Sequence, residues 1–290
     1  MKLAIASGKG GTGKTTVATN LALSLEPNKV QLFDCDVEEP DSHLFLDIKL
    51  NKLDDVKIVV PNIDESKCDF CGDCSKFCQY HALAVVKDKV LFFSDLCHGC
   101  GGCTLVCPKN AITEEERVIG VIESGTSDGL EFFHGILNTG EAMATPVIRA
   151  LKEKANINKN IIIDSPPGTA CPVIESVNES DFVLLVTEPT PFGLHDLKLA
   201  VDMVRSMELP FGVVINRKGI GDDRVEHFCD DENITVLLKI PNDTKIAKLY
   251  SNGIPFILKM PTWKVKFIEL FDYIQDQVNN KDTRGLQVGH

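Results

Sequence analysis

Short apolar runs recur along the chain at residues 3–7, 30–34, 118–123, 161–164, 182–187, 211–216 and 236–240. They are nearly continuous in apolar residues rather than alternating, as strands buried on both faces are. Between them, residues 17–25, 146–154, 194–207 and 245–250 space their apolar positions as amphipathic helices do. β and α in alternation predict an α/β fold, a mostly parallel sheet flanked by helices. Right-handed crossovers then gather the loops that follow the strands along one edge, where a site is expected. Near the end, Val265, Ile268, Phe271 and Ile274 have the spacing of a core-packed helix within residues 263–278. Core packing is preferred there over membrane binding, and the closing residues, through Leu286 and His290, are polar and not strongly basic.

One region breaks the alternation. Residues 61–113 are cysteine-rich, with short hairpin-like pieces such as 84–93, and the strand pattern resumes at Val118. The chain therefore divides into a discontinuous α/β domain, residues 1–60 and 114–290, and a small inserted α+β domain, residues 61–113. The insertion repeats itself: Cys68, Cys71, Cys74 and Cys78 recur as Cys97, Cys100, Cys103 and Cys107, each 29 positions later. Such duplication suits a pseudo-symmetric module.

Charge and cysteine usage narrow the function classes. The formal net charge of −12 over 290 residues argues against nucleic acid as a partner, since phosphate backbones call for a basic surface. The leading apolar run is too short to target or span, and no long uncharged apolar stretch follows, so a cytoplasmic protein is expected. In that compartment eleven cysteines read as metal ligands rather than disulfides.

The segment Gly8-Lys9-Gly10-Gly11-Thr12-Gly13-Lys14-Thr15-Thr16 follows an apolar run and opens a helix. That is the P-loop pattern in its proper context. Its glycines let backbone N–H groups close around phosphate oxygens at a helix N-terminus. Lys14 is expected to reach the β- and γ-phosphates and Thr15 to ligate Mg²⁺. Asp34 and Asp36 end the second apolar run, where a carboxylate faces either the metal or an attacking water, or simply turns the chain. Asp164 ends the run 161–164 and leads into Ser165-Pro166-Pro167-Gly168. It is expected to hold a metal-bound water, with Gly168 offering an N–H to the γ-phosphate.

With the extra Lys9, residues 8–15 resemble the deviant Walker A motif of the MinD/ParA group of P-loop ATPases. The resemblance implies that Lys9 contacts nucleotide across an ATP-sandwiched homodimer, that Asp36 is the catalytic aspartate and Mg²⁺-associated, and that Asp164 is the Walker B aspartate. It also implies that Asn216, with Pro241, Asn242 and Asp243, holds adenine. The segment from Thr187 to Gly193 resembles a branch of the group that carries ferredoxin insertions.

Each cysteine repeat reads C-x₂-C-x₂-C-x₃-C, the spacing of bacterial two-cluster ferredoxins, in which the fourth cysteine serves the other cluster. One [4Fe–4S] cluster is thus assigned Cys68, Cys71, Cys74 and Cys107, and the second Cys78, Cys97, Cys100 and Cys103. Two Cys₄ zinc sites are the competing reading; the third cysteine of each run favours cubanes. Pro108 follows the second run as expected, whereas Gln79 replaces the proline after the first. His98 is read as a neighbour or an exposed residue rather than a ligand. Cys35 and Cys229 are read as packed small residues. Cys171, seven residues after Asp164, sits at the offset of a cysteine that ligates a subunit-bridging cluster in the nitrogenase iron protein. A bridging cubane needs two thiolates per subunit, and residues 138–145 supply none. A small buried residue at a helix start is the expectation for Cys171.

These readings converge on an ATP-hydrolysing, ATP-dimerised protein with Mg²⁺ and two [4Fe–4S] clusters. Its expected task is electron transfer or cluster handling with a redox or iron–sulfur protein partner. The alternatives are a redox-sensing, MinD-like positioning switch and an iron–sulfur cluster carrier; an assignment as an iron–sulfur scaffold ATPase of the superfamily is weakened because no C-x₂-C pair lies near the C-terminus.

Overall fold

The structure, a computed structural model, describes residues 1–285, with side chains described through residue 280. Residues 286–290 lie outside it. In chain order the first elements are β1 (Lys2–Ala6), α1 (Lys14–Ser24), β2 (Val30–Asp34), β3 (Asn51–Ile63), α2 (Asp73–Phe77), β4 (Leu83–Val86), β5 (Lys89–Phe92) and α3 (Gly102–Val106). There follow β6 (Ile112–Ser127), β7 (Leu130–Leu137), α4 (Thr145–Lys152), β8 (Asn160–Asp164), α5 (Cys171–Val177), β9 (Phe182–Thr187) and α6 (Pro191–Ser206). The chain continues through β10 (Phe211–Lys218), α7 (Arg224–Asp231), β11 (Val236–Pro241), α8 (Thr244–Tyr250) and α9 (Pro261–Gly285).

The main sheet has nine strands in the order β11-β10-β9-β1-β8-β2-β7-β6-β3. From β11 to β7 every pair is parallel; β6 runs antiparallel to both β7 and β3. The expected mostly parallel sheet flanked by helices is therefore what the chain forms. Alternate strand residues feed two cores. Ala4, Phe33, Ile161, Ile163 and Leu185 pack under α4, α5 and α6, while Leu3, Ile5, Leu32, Ile162 and Leu184 pack under α1 and α9. Burial on both faces is why these strands read as continuous apolar runs.

Two strands escaped the hydrophobic pattern. β7 was not anticipated, and β3 reads Asn-Lys-Leu-Asp-Asp-Val-Lys-Ile-Val-Val-Pro-Asn-Ile, with most positions at least partly exposed. β3 pairs with β6 from Asn51↔Ser124 out to Ile63↔Ile112. This long ribbon carries the cysteine-rich segment at its outer end. There α2 and α3 repeat at the same 29-residue offset as the cysteines, each preceded by a left-handed glycine, Gly72 and Gly101. The β4–β5 hairpin completes the module, around a small core of Cys74, Leu83 and Ile112.

The C-terminal helix is a core helix, but its inward stripe differs from the expected one. Trp263, Phe267, Leu270, Phe271 and Ile274 are buried, whereas Val265 is exposed and Ile268 only half-buried. The bulky rings of Trp263 and Phe267, which pack with Phe256, set the rotation of the helix. Among the described residues no helix is long and apolar enough to cross a membrane.

Candidate functional site

The loops after β1, β2, β8, β10 and β11 meet in a cleft of about 360 Å³ at the C-terminal edge of the strands. Gly10, Gly11, Gly13, Lys14, Thr15 and Thr16 form its floor; Asp36, Glu39 and Asp41 form one wall. Asn216, Arg217, Pro241, Asn242, Asp243 and Tyr250 line the opposite side. The floor keeps its shape because Gly13 adopts φ 95°, a left-handed conformation that side chains disfavour. A Cβ there would also stand 2.3 Å from Asn216 Nδ2. Asn216 donates from that nitrogen to the Thr12 carbonyl at 2.8 Å, so β10 clasps the loop of β1. Asp243 spends its carboxylate on capping α8, accepting from the Lys245 N–H at 2.7 Å.

Beneath the floor lie two buried carboxylates. β2 and β8 are neighbours, and their register sets Asp34 beside Asp164. Asp34 accepts from the N–H groups of Asp36 (3.0 Å) and Ser42 (2.9 Å), so it shapes the loop after β2 rather than facing the cleft. Asp164 accepts from Ser42 Oγ at 3.0 Å, and its Oδ1 is buried with no protein partner. Burial raises Asp34 well above the usual carboxylate range, and repulsion by Asp164 adds to it. Burial pushes Asp164 up to about 7, against the pull of Lys14 and the hydroxyls of Thr15 and Ser42. Asp36 is raised to about 6, again chiefly by burial, with Lys14 opposing. Asp164 Oδ1, an orphaned buried acceptor close to Lys14 and the Thr15 hydroxyl, is where a bound cation would find a ligand.

Asp41 was missed by the sequence reading. It accepts from Thr15 Oγ1 at 3.1 Å and lies at the cleft wall, yet nothing in its local sequence distinguishes it from Glu38 and Glu39. Lys9 points away from the cleft floor and pairs with Glu188 at 2.8 Å; Glu188 also takes Arg217 at 3.1 Å. Burial works to raise Glu188, but Lys9 and Arg217 together hold it below its ordinary value. Gly8, Thr12 and Gly168 do not line the cleft, and in this conformation the Gly168 N–H donates to the Ser7 carbonyl at 3.1 Å.

The eight cysteines between β3 and β6 sort into two cavities. Cys68, Cys71, Cys74 and Cys107 surround one, together with Ile63, Val85 and Val90. Cys78, Cys97, Cys100 and Cys103 surround the other, with Phe77, Leu83 and Phe92. All eight are free thiols, and each set draws its fourth member from the other repeat. Among the described residues no three His, Cys, Asp or Glu side chains converge as a single-ion site. His98 stacks flat on Tyr80, with centroids 3.5 Å apart, beside the second cavity. Cys35 and Cys229 are buried in the core of the sheet. Cys171 departs from expectation: it is exposed, because it opens α5 on the loop side of the helix before the chain turns inward at Val173.

A glycine-rich loop and Lys14 at the head of α1, facing carboxylates from two neighbouring strands, define a P-loop nucleotide-binding protein. Residues 3–256 match the model of the CobQ/CobB/MinD/ParA nucleotide binding domain, and the chain belongs to that family of P-loop ATPases. An uncharacterized protein of Methanocaldococcus jannaschii is 34% identical over 286 residues, covering 96% of this chain and 97% of its own. An iron-sulfur cluster carrier protein of Pyrococcus horikoshii is 23% identical, covering 98% of this chain and 88% of its own. Among solved structures, the cell division ATPase MinD of Pyrococcus furiosus superposes with a TM-score of 0.57 at 20% identity, covering 94% of this chain and 98% of that one. MinD of Pyrococcus horikoshii, solved with Mg-ADP, gives 0.54 at 23%, covering 93% of each chain. These structural likenesses are of fold.

Proposed function

We propose that the protein binds and hydrolyses MgATP, closes into a homodimer when ATP is bound, and carries two resident [4Fe–4S] clusters. Their exposure to a redox or iron–sulfur protein partner then follows the nucleotide state. The observation that carries this reading is the sorting of eight thiols into two apolar cavities on the same chain as the nucleotide cleft. The crosswise grouping supports cubanes held by Cys68, Cys71, Cys74 and Cys107, and by Cys78, Cys97, Cys100 and Cys103. When bound, such clusters supply one-electron storage.

The chain's own residues account for the nucleotide half. Lys14 supplies positive charge to the β- and γ-phosphates, and the backbone around Gly10, Gly11 and Gly13 supplies N–H donors. Thr15, Asp36 and Asp164 hold Mg²⁺, with Asp41 beside them. Asp36 orients the attacking water. Lys9 leaves Glu188 and reaches the nucleotide of the partner subunit, which supplies charge to the transition state without covalent chemistry. Asn216, Pro241 and Asp243 border the base.

A cluster-carrier role is the second reading, favoured by relatives that bear that name. Crosswise ligation speaks for resident clusters, since releasing either one disturbs ligands from both repeats. The experiment is anaerobic purification, followed by size measurement with and without MgATP and electron transfer to a low-potential acceptor. MgATP-dependent dimerisation with iron retained supports the first reading. Iron lost to an apo-acceptor protein with no electron transfer selects the carrier.

A further inference from the structure

The 3-10 turn Ser42–Phe45 lies at the end of the loop that walls the cleft. Its first residue closes on both buried carboxylates, the Ser42 N–H on Asp34 Oδ2 at 2.9 Å and its Oγ on Asp164 Oδ2 at 3.0 Å. A ligand that engages Asp164 therefore acts on one of the two groups that hold this turn. Its second residue, His43, sets its ring edge-on against His134 of β7, with centroids 5.4 Å apart and planes at 69°. His134 is buried and pairs across the sheet with Asp34 on one side and Glu123 of β6 on the other. Its Nε2 lies 3.0 Å from Glu123 Oε2. The Nδ1 atoms of both His43 and His134 are buried without a partner, so no hydrogen bond from either Nδ1 pins the two rings together.

Both strands of the ribbon are thus tied to this one turn. Residues 46–50 are all that separates the turn from β3, which ends at Ile63, shortly before Cys68. β6 begins at Ile112, shortly after Cys107, and runs to Glu123 and beyond. The first tie is covalent; the second passes through His43, His134 and Glu123. The geometry points to His134 and Glu123 as positioning residues that couple the nucleotide-facing turn to the cysteine-bearing ribbon. This rests on the nucleotide reading above and adds the route by which the inserted module responds. Neither residue touches nucleotide. By linkage, whatever the module binds acts back on nucleotide affinity through the same contact. β3 and β6 pair from Asn51↔Ser124 to Ile63↔Ile112, with bulges between Lys52 and Asp54 and between Val56 and Lys57, so each tie carries its shift along its own strand toward the cysteines.

Hydrogen–deuterium exchange on the full chain, prepared anaerobically, tests this with and without a non-hydrolysable MgATP analogue. In the wild type, ribbon amides in residues 52–63 and 112–122 should change exchange rate by about fivefold or more on binding. Glu123→Ala, at a half-exposed position, should lose the response of residues 112–122 while the turn and the covalently tied residues 52–63 still respond and analogue affinity stays within about twofold. Glu123→Gln keeps a partner for His134 and should restore the response, which a merely structural role does not require. His134→Phe should behave as Glu123→Ala does. A response of residues 112–122 that persists in both Glu123→Ala and His134→Phe overturns the inference, as does a wild type that binds the analogue with a silent ribbon. A wild type that fails to bind the analogue in equilibrium dialysis brings down the nucleotide reading itself, and this inference with it.

Discussion

Asp164→Asn exchanges a buried carboxyl for an amide of nearly the same shape. Its Oδ can still accept from Ser42 Oγ, 3.0 Å away in the wild type. Folding raises the Asp164 carboxyl from 3.8 to about 7. A group raised in the folded state lends its full stability below the unfolded value and loses it as pH climbs through the folded one. At pH 8 the charge on Asp164 accordingly costs the nucleotide-free protein about 4 kcal/mol, at about 1.4 kcal/mol per tenfold. The amide nitrogen takes the place of Oδ1, which has no protein partner, and leaving it unsatisfied costs about 1–3 kcal/mol. The variant should therefore be more stable than the wild type by roughly 1–3 kcal/mol at pH 8, and the advantage should shrink to about zero at pH 5, where only the unfolded carboxyl is ionised. Urea unfolding at pH 5, 6.5 and 8, without nucleotide or divalent cation, measures the difference. Adding MgADP should reverse the order at pH 8, because the wild type alone then gains a charge partner for Asp164. A wild-type-minus-variant difference that stays flat from pH 5 to 8 would refute the argument that this carboxyl is strained by burial.

The remaining predictions test other parts of the site. Gly13→Ala places a methyl group 2.3 Å from Asn216 Nδ2 at a left-handed φ, and calorimetry should show nucleotide affinity falling by more than about tenfold while the far core is unaffected. Lys9→Ala should keep monomeric nucleotide binding yet lose the ATP-dependent dimer, and light scattering that finds the dimer intact would remove Lys9 from the trans role. Asp36→Ala should retain MgATP and trap the dimer, seen as bound nucleotide without phosphate release. Cys74→Ser and Cys103→Ser should each lower iron from about eight toward about four per chain after anaerobic reconstitution. Stoichiometric zinc without sulfide in the wild type would overturn that assignment.

Much of this was legible in the residues because the signals are local. The run before Gly8 and the spacing through Thr15 declare a phosphate loop, since strand, glycines and helix start are consecutive. The two cysteine repeats are visible in the same way, because their spacing is local, and α2 and α3 recur at the same offset. The apolar runs of β1, β2, β8, β9 and β10 declare a sheet covered on both faces.

What the local pattern could not carry was decided by strand order and packing. β3 is largely polar, and only its pairing with β6 makes it a strand. Asp34 and Asp36 look equivalent as a pair one residue apart, but the register of β2 against β8 buries the first as a loop brace and leaves the second at the cleft. Asp41 meets Thr15, Glu188 meets Lys9, and His43 meets His134 across 26, 179 and 91 positions of chain respectively. Val265 has the spacing of a buried residue yet faces out, because Trp263 and Phe267 needed the space under α9 more. The sequence by itself determined which chemistry is present and which segments are apolar enough to pair and pack. Which carboxylates share a pocket, and which cations they hold, was left to the tertiary structure, since those energies depend on distances between residues that the chain order keeps far apart.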